Sequence, residues 1–176
     1  MVGLLRNLLT LLVALCHYRS VTPQSRTQLG FWVTPLDTGL ATLKSDRYLQ
    51  MAESAQLDYV VRTGLVRDML RKGYRFVNAS QLVRFARPVR LFSRVAVASQ
   101  VIFADGKCAY FHHVFTVGTA LHAEVFVKMK FKQGRLTISP AELVGSFDGA
   151  KAAVLQHWDA ALAIPTPQDL GAHQRI

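Results

Sequence analysis

The chain has 176 residues, with 21 Lys+Arg against 11 Asp+Glu and a formal net charge of +10. A hydrophobic content of 51% and a charged content of only 18% exclude a disordered or collagen-like chain, and the length suits one domain with a real core. Two cysteines, Cys16 and Cys108, cannot make a disulfide framework or a four-cysteine zinc site. The basic balance points to an anionic partner: ligand phosphates, a membrane surface or nucleic acid.

Residues 1–20 form the first segment. Met1–Cys16 is apolar, but its uninterrupted run is shorter than the roughly 20 residues of a membrane span. No small-x-small cleavage site follows, as a secretory signal would require, and Leu15 stands where a lipoprotein signal has a small residue. The leading expectation is a helix that packs on the domain or lies along a membrane surface, with an anchor and a cleaved signal as alternatives.

Gln28–Thr34 is a strand that ends at Pro35, which cannot continue a ladder. A loop with Gly39 follows, and Asp46 is the expected N-cap of a helical stretch over Arg47–Lys72. Tyr48, Met51, Ala52, Ala55 and Tyr59 recur at the spacing of one helical face, Gly64 divides the stretch, and Gly73 closes it. The period then changes to two. Strands are expected over Tyr74–Phe85, Arg94–Ala104, Lys107–Val117 and Ala120–Gln133, with Asp105-Gly106 as the clearest hairpin turn. In the last of these, Leu121, Ala123, Val125, Val127, Met129 and Phe131 share one face. His122, Glu124, Lys128, Lys130 and Lys132 share the other, with Phe126 as the exception. Arg135–Ser139 extends the sheet, Pro140–Ala163 reads as helical, and Pro165–Ile176 reads as loose. A helix meeting the apolar face of an antiparallel sheet is an α+β solution.

Three stretches resemble thioesterases of the hotdog superfamily, in the branch of 4-hydroxybenzoyl-CoA thioesterase and the acyl-CoA thioesterase-like families. They are Phe31-Trp-Val-Thr-Pro-Leu-Asp37 leading to Arg47-Tyr48-Leu49, Glu53-Ser-Ala-Gln-Leu-Asp58 followed by Thr63-Gly64-Leu65, and Val83-Arg-Phe-Ala-Arg-Pro88. The resemblance implies a hotdog fold: an antiparallel sheet wrapped around a long central helix over residues 21–139. An extra N-terminal helix precedes this domain, and a C-terminal helix with a loose tail follows over 140–176. The resemblance also implies hydrolysis of an acyl thioester to a carboxylic acid and a thiol. Its further implications are a site between two subunits of a homodimer or tetramer, and a cytoplasmic location. One departure stands out. Where many relatives carry a His-Met-Asn-Asn run, this chain has Ala41-Thr-Leu-Lys-Ser-Asp46.

A thioester is already activated, so no metal or cofactor is required beyond the coenzyme A thioester as substrate. A carboxylate that attacks the carbonyl or activates water is needed, with a donor that polarises the carbonyl oxygen. Asp37 is the candidate base or nucleophile, against the plainer reading that it only hydrogen-bonds its own turn. Tyr48, Met51 and Ala52 are candidates for contact with the acyl group, together with Glu53, whose plainer role is to orient the loop or pair with a base. Arg84, Arg87 and Arg90 are candidates for the coenzyme A phosphates, as is the Lys128, Lys130 and Lys132 stripe, whose plainer reading is a solvated face. His112 and His113 face opposite sides of a strand and cannot ligate one metal together. No serine has a nucleophile-elbow context. Nucleic acid is disfavoured, because Phe85 and Phe92 are spaced as buried strand positions. The rival function is a non-catalytic binder of acyl-CoA or acyl-carrier protein, held at a membrane surface by the N-terminal helix.

Overall fold

The computed structural model describes residues 2–18, 20–147 and 149–164. The chain divides into two compact units, Met1–Ser146 and Phe147–Ile176. In the first, α1 (Val2–Cys16) leads to β1 (Thr27–Trp32), α2 (Ser45–Arg62) and α3 (Leu65–Lys72). The strands β2 (Arg75–Phe85), β3 (Arg94–Ala104), β4 (Ala109–Val117), β5 (Ala120–Gln133) and β6 (Leu136–Ile138) follow, then the short α4 (Ala141–Val144). The second unit holds α5 (Ala153–Ala163), where the Lys151 ammonium donates to the Asp159 carboxylate. The expected continuous helical tail over 140–163 is therefore two helices with Gly145 between them, at a φ of 80° that ends α4. The loose tail expected over Pro165–Ile176 lies outside the described residues.

The sheet is antiparallel in the order β1-β3-β4-β5-β2, with β6 paired to the end of β5. Period-two alternation gives it one apolar face. Ala123, Val125, Val127, Met129 and Phe131 of β5 are fully buried, as are Phe111, His113 and Phe115 of β4 beside them. Leu121 departs from the expected face. A bulge shifts the β4–β5 register between Phe115 and Thr116, so Leu121 stands opposite Thr116 and is only half-buried.

α2 lies on this apolar face. The Tyr59 ring meets Phe111 edge-on at 5.0 Å between centroids, and Tyr48 meets Phe115 at 5.4 Å and Phe85 at 5.1 Å. The Gln56 side chain donates to Met129 Sδ at 3.0 Å. The helix starts two residues before the expected Arg47. Its N-cap is Lys44, without a side-chain cap, and Asp46 lies inside the first turn, where its charge favours the positive end of the helix dipole. Gly64 and Gly73, at φ of 76° and 66°, bound α3 as the sequence requires.

The opposite sheet face carries the polar residues. Phe126, the exception in the alternation, stacks on His112 at 4.3 Å, and His112 Nε2 lies 3.1 Å from Glu124 Oε1. The Lys128 ammonium sits 5.8 Å from the Tyr110 ring centre. β5 thus turns its lysines away from α2 and its apolar residues toward it.

Candidate functional site

Three segments meet at one corner of the domain. The first is the loop from Val33 to Lys44, closed as a small hairpin by the Thr38–Leu43 bridge and the Gly39 N–H to Thr42 O bond of 3.0 Å. The second is the start of α2. The third is the segment Ala86–Ser93, which joins β2 to β3. Backbone bonds tie the first to the third: Leu43 N–H to Val89 O at 2.9 Å, Leu91 N–H to Ala41 O at 3.0 Å and Phe92 N–H to Val33 O at 3.0 Å. Lys44 N–H donates to Asp37 O at 3.1 Å, which places the base of the loop against the helix start.

Asp37 is fully buried at this base. Pro35 pre-sets the turn Thr34–Asp37, which the Asp37 N–H to Thr34 O bond of 2.9 Å closes. Asp37 Oδ2 then accepts from Thr34 N–H at 3.1 Å and from Thr34 Oγ1–H at 2.8 Å. The turn-bonding role considered from the sequence is thus present. Thr34 was not among the residues singled out from sequence. Its signal is the spacing in Thr34-Pro-Leu-Asp37, a hydroxyl three residues before a carboxylate across a Pro turn.

Tyr48 is buried in the same corner. Burial raises its phenol above the usual range, and a bond with the backbone of Val89 works against that shift. Met51 and Ala52 follow one turn on, both buried beneath the helix. Glu53 is exposed. It stands three residues before Gln56, whose amide also reaches Asn78 Oδ1 of β2 at 3.3 Å. Arg47, in the first turn of α2, was also not singled out as a site residue. Its Nε is buried and has no hydrogen-bond partner among the described residues.

The three arginines do not form one group. Arg90 pairs with Thr42 across the isolated bridge and belongs to the corner. Arg87 is exposed just past β2, its N–H donating to His122 O at 3.0 Å. Arg84 lies on the far face of the sheet, where Nη1 meets Glu124 Oε2 at 3.2 Å. Large apolar side chains in the corner's loop and joining segment, or at the end of β1, are exposed: Trp32, Leu36, Leu40 and Phe92. Phe92 has a φ of 62°, a left-handed conformation that costs a non-glycine residue energy and that often marks functional segments. Among the described residues, no three His, Cys, Asp or Glu side chains are grouped to hold a metal ion.

Comparison with known proteins agrees with this arrangement. The probable thioesterase YbaW from Escherichia coli superposes with a TM-score of 0.63 at 17% identity, covering 67% of this chain and 96% of that one. A mutant of 4-hydroxybenzoyl CoA thioesterase, crystallised with 4-hydroxybenzoyl CoA, superposes with a TM-score of 0.62 at 12% identity, covering 68% and 96%. DHNA-CoA thioesterase from Staphylococcus aureus superposes with a TM-score of 0.58 at 13% identity, covering 86% and 96%. These superpositions establish the shared fold, which is the hotdog arrangement. No curated protein matches the chain. The model of the Thioesterase-like superfamily matches residues 33–158, from the strand end before Asp37 into α5, and the chain belongs to that superfamily.

Proposed function

We propose that the protein hydrolyses an acyl-CoA thioester to a carboxylic acid and free coenzyme A, with Asp37 as the base or nucleophile. The observation that carries this reading is the burial of Asp37 in a loop pinned to the start of α2, in a chain of the thioesterase-like superfamily. The first N–H groups of a helix lack intrahelical partners, and no side chain caps those of α2. They supply donors and a positive dipole end for the oxyanion that forms when the thioester carbonyl is attacked. Asp37 either activates water or attacks the carbonyl itself, and the thiolate of coenzyme A departs. The Arg47 guanidinium adds a second donor at this helix start. Tyr48, Met51, Ala52 and Glu53 would border the acyl group, and Arg90 the phosphates.

A second reading, a non-catalytic binder of acyl-CoA or acyl-carrier protein, is favoured by two observations. Asp37 Oδ2 is already engaged by Thr34, and the Ala41–Asp46 loop lacks the His-Asn run of many relatives. A panel of acyl-CoA substrates with a thiol-reactive dye separates the two. Thiol release on at least one acyl class is expected. Coenzyme A binding without release on any of them would leave the binder.

We also propose that the protein works as a homodimer or a higher oligomer built from it. β2 ends the strand order, and its Val77 and Phe85 are half-exposed. An open apolar edge of this length favours pairing with a second copy. Light scattering at micromolar concentration should therefore return at least twice the mass of the 19.6 kDa chain, and a monomer mass would remove the proposal.

A further inference from the structure

α1 lies outside residues 33–158, so the superfamily match does not account for it. Its orientation on the domain is the reverse of an ordinary surface helix, which turns its apolar stripe inward. The side facing α2 holds the polar residues. Thr10 and Ala14 are buried there, and Asn7 Oδ1 accepts from the Ser54 hydroxyl of α2 at 2.6 Å. The outward side is apolar. Leu12 is 55% exposed, Val13 50% and Leu15 52%, with Tyr18 exposed just past the helix end.

Exposed Leu12, Val13 and Leu15 cost free energy in water unless something covers them. The charge pattern identifies the cover. Residues 1–36 contain Arg6, Arg19 and Arg26 and no carboxylate, and the whole chain carries +10. Such a segment attracts anionic headgroups, each Lys or Arg near an anionic leaflet contributing about 1 kcal/mol. The 15 residues of α1 reach about 22 Å, short of a hydrocarbon core of roughly 30 Å. No helix among the described residues is long and apolar enough to cross a membrane. We infer that α1 is an interfacial helix, fixed to α2 by its polar side, that lays its leucine side into the surface of an anionic lipid bilayer. The inference does not rest on hydrolysis at the Asp37 corner, and it holds for the binder reading as well.

Flotation of the full-length protein with lipid vesicles tests it. The protein should float with vesicles of phosphatidylcholine mixed with phosphatidylglycerol and much less with phosphatidylcholine alone. Added salt should weaken the association, because it screens the headgroup charge. Leu12→Asp with Leu15→Asp should lower partition at least about tenfold, since each removes buried methylenes and adds a repelled charge. Leu12→Gln with Leu15→Gln should lower it in the same direction without a new charge. Both positions are exposed, so thermal unfolding of either variant should match the parent. Three results would overturn the inference. They are absence from anionic vesicles, equal partition of variants and parent, and a fall in oligomer mass when the leucines are changed in lipid-free buffer. The last would make a second copy the occupant of the leucine side.

Discussion

Asp37→Asn is expected to lower thiol release by roughly 100-fold or more, the range lost with a general base or nucleophile. The substitution keeps the size of the side chain. Its amide oxygen can still accept from Thr34 N–H and Thr34 Oγ1–H, the two bonds that fix Asp37 Oδ2 at 3.1 and 2.8 Å. What it removes is the negative charge. If that charge attacks the thioester or takes a proton from water, turnover falls while the turn survives. Unfolding free energy should change by less than about 2 kcal/mol, because the acceptor is retained and only the charge assistance of the bonds is lost. Glu53→Gln provides the contrast. Glu53 is exposed on α2, so its loss should cost less than that of Asp37. Full activity in Asp37→Asn would take Asp37 out of the mechanism and leave Glu53 as the next carboxylate. A variant that is inactive and also unfolds readily would show that Asp37 serves the turn.

Most of the fold is legible because one physical signal dominates it. A strand with one buried face must alternate, and β5 does so from Ala123 to Phe131, with Phe126 as the one apolar residue on the other face. α2 is legible for the same reason at a different period: Tyr48, Met51, Ala52, Ala55 and Tyr59 all end up buried. The places where reading stops are those where a signal is local and two residues compete for it. Asp46 has the chemistry of an N-cap, yet the helix starts one residue earlier, because the Lys44 N–H is already bonded to Asp37 O and Lys44 takes the extended cap conformation. Leu121 obeys the alternation on paper, but a bulge that no composition announces moves it out of the buried row. At the candidate site, the family resemblance singles out Asp37 and Tyr48, whereas Thr34 and Arg47 draw notice through their contacts. Neighbourhood in sequence also brackets Arg84 with Arg90. The two are separated in space because β2 alternates too, and its Arg84 pairs with Glu124 on the face away from α2.

The same alternation produces the second large expected effect. His112 and His113 are neighbours that the strand sends to opposite faces. His112 keeps a carboxylate partner in Glu124, whereas His113 is fully enclosed on the α2 side. His113 Nδ1 lies 2.7 Å from Ser99 Oγ, its ring stacks on Phe111 at 5.8 Å, and Nε2 has no partner among the described residues. Charging this ring would place a cation among apolar side chains. Desolvation therefore pushes its pKa down to about 3, with the neighbouring His112 adding to the shift. In the unfolded chain the same ring titrates near the ordinary value of about 6.5. Above that pH neither state holds the proton, and the group has no effect on stability. As pH falls below it, the unfolded state takes up a proton that the folded state refuses. Stability should then decline by about 1.4 kcal/mol per pH unit until the folded ring itself titrates near pH 3. The test is a difference between proteins, so that the effect of other groups cancels. His113→Gln should be less stable than the parent at pH 7, because it trades a stacked ring for a chain beside Ser99. Denaturant unfolding of the two proteins at pH 7, 6 and 5 should nevertheless show the gap narrowing with acid, by about 1.4 kcal/mol for each unit below 6.5. A gap that stays constant over that range would mean that His113 takes up its proton in the folded state. The ring would then need access to water or to an acceptor at Nε2.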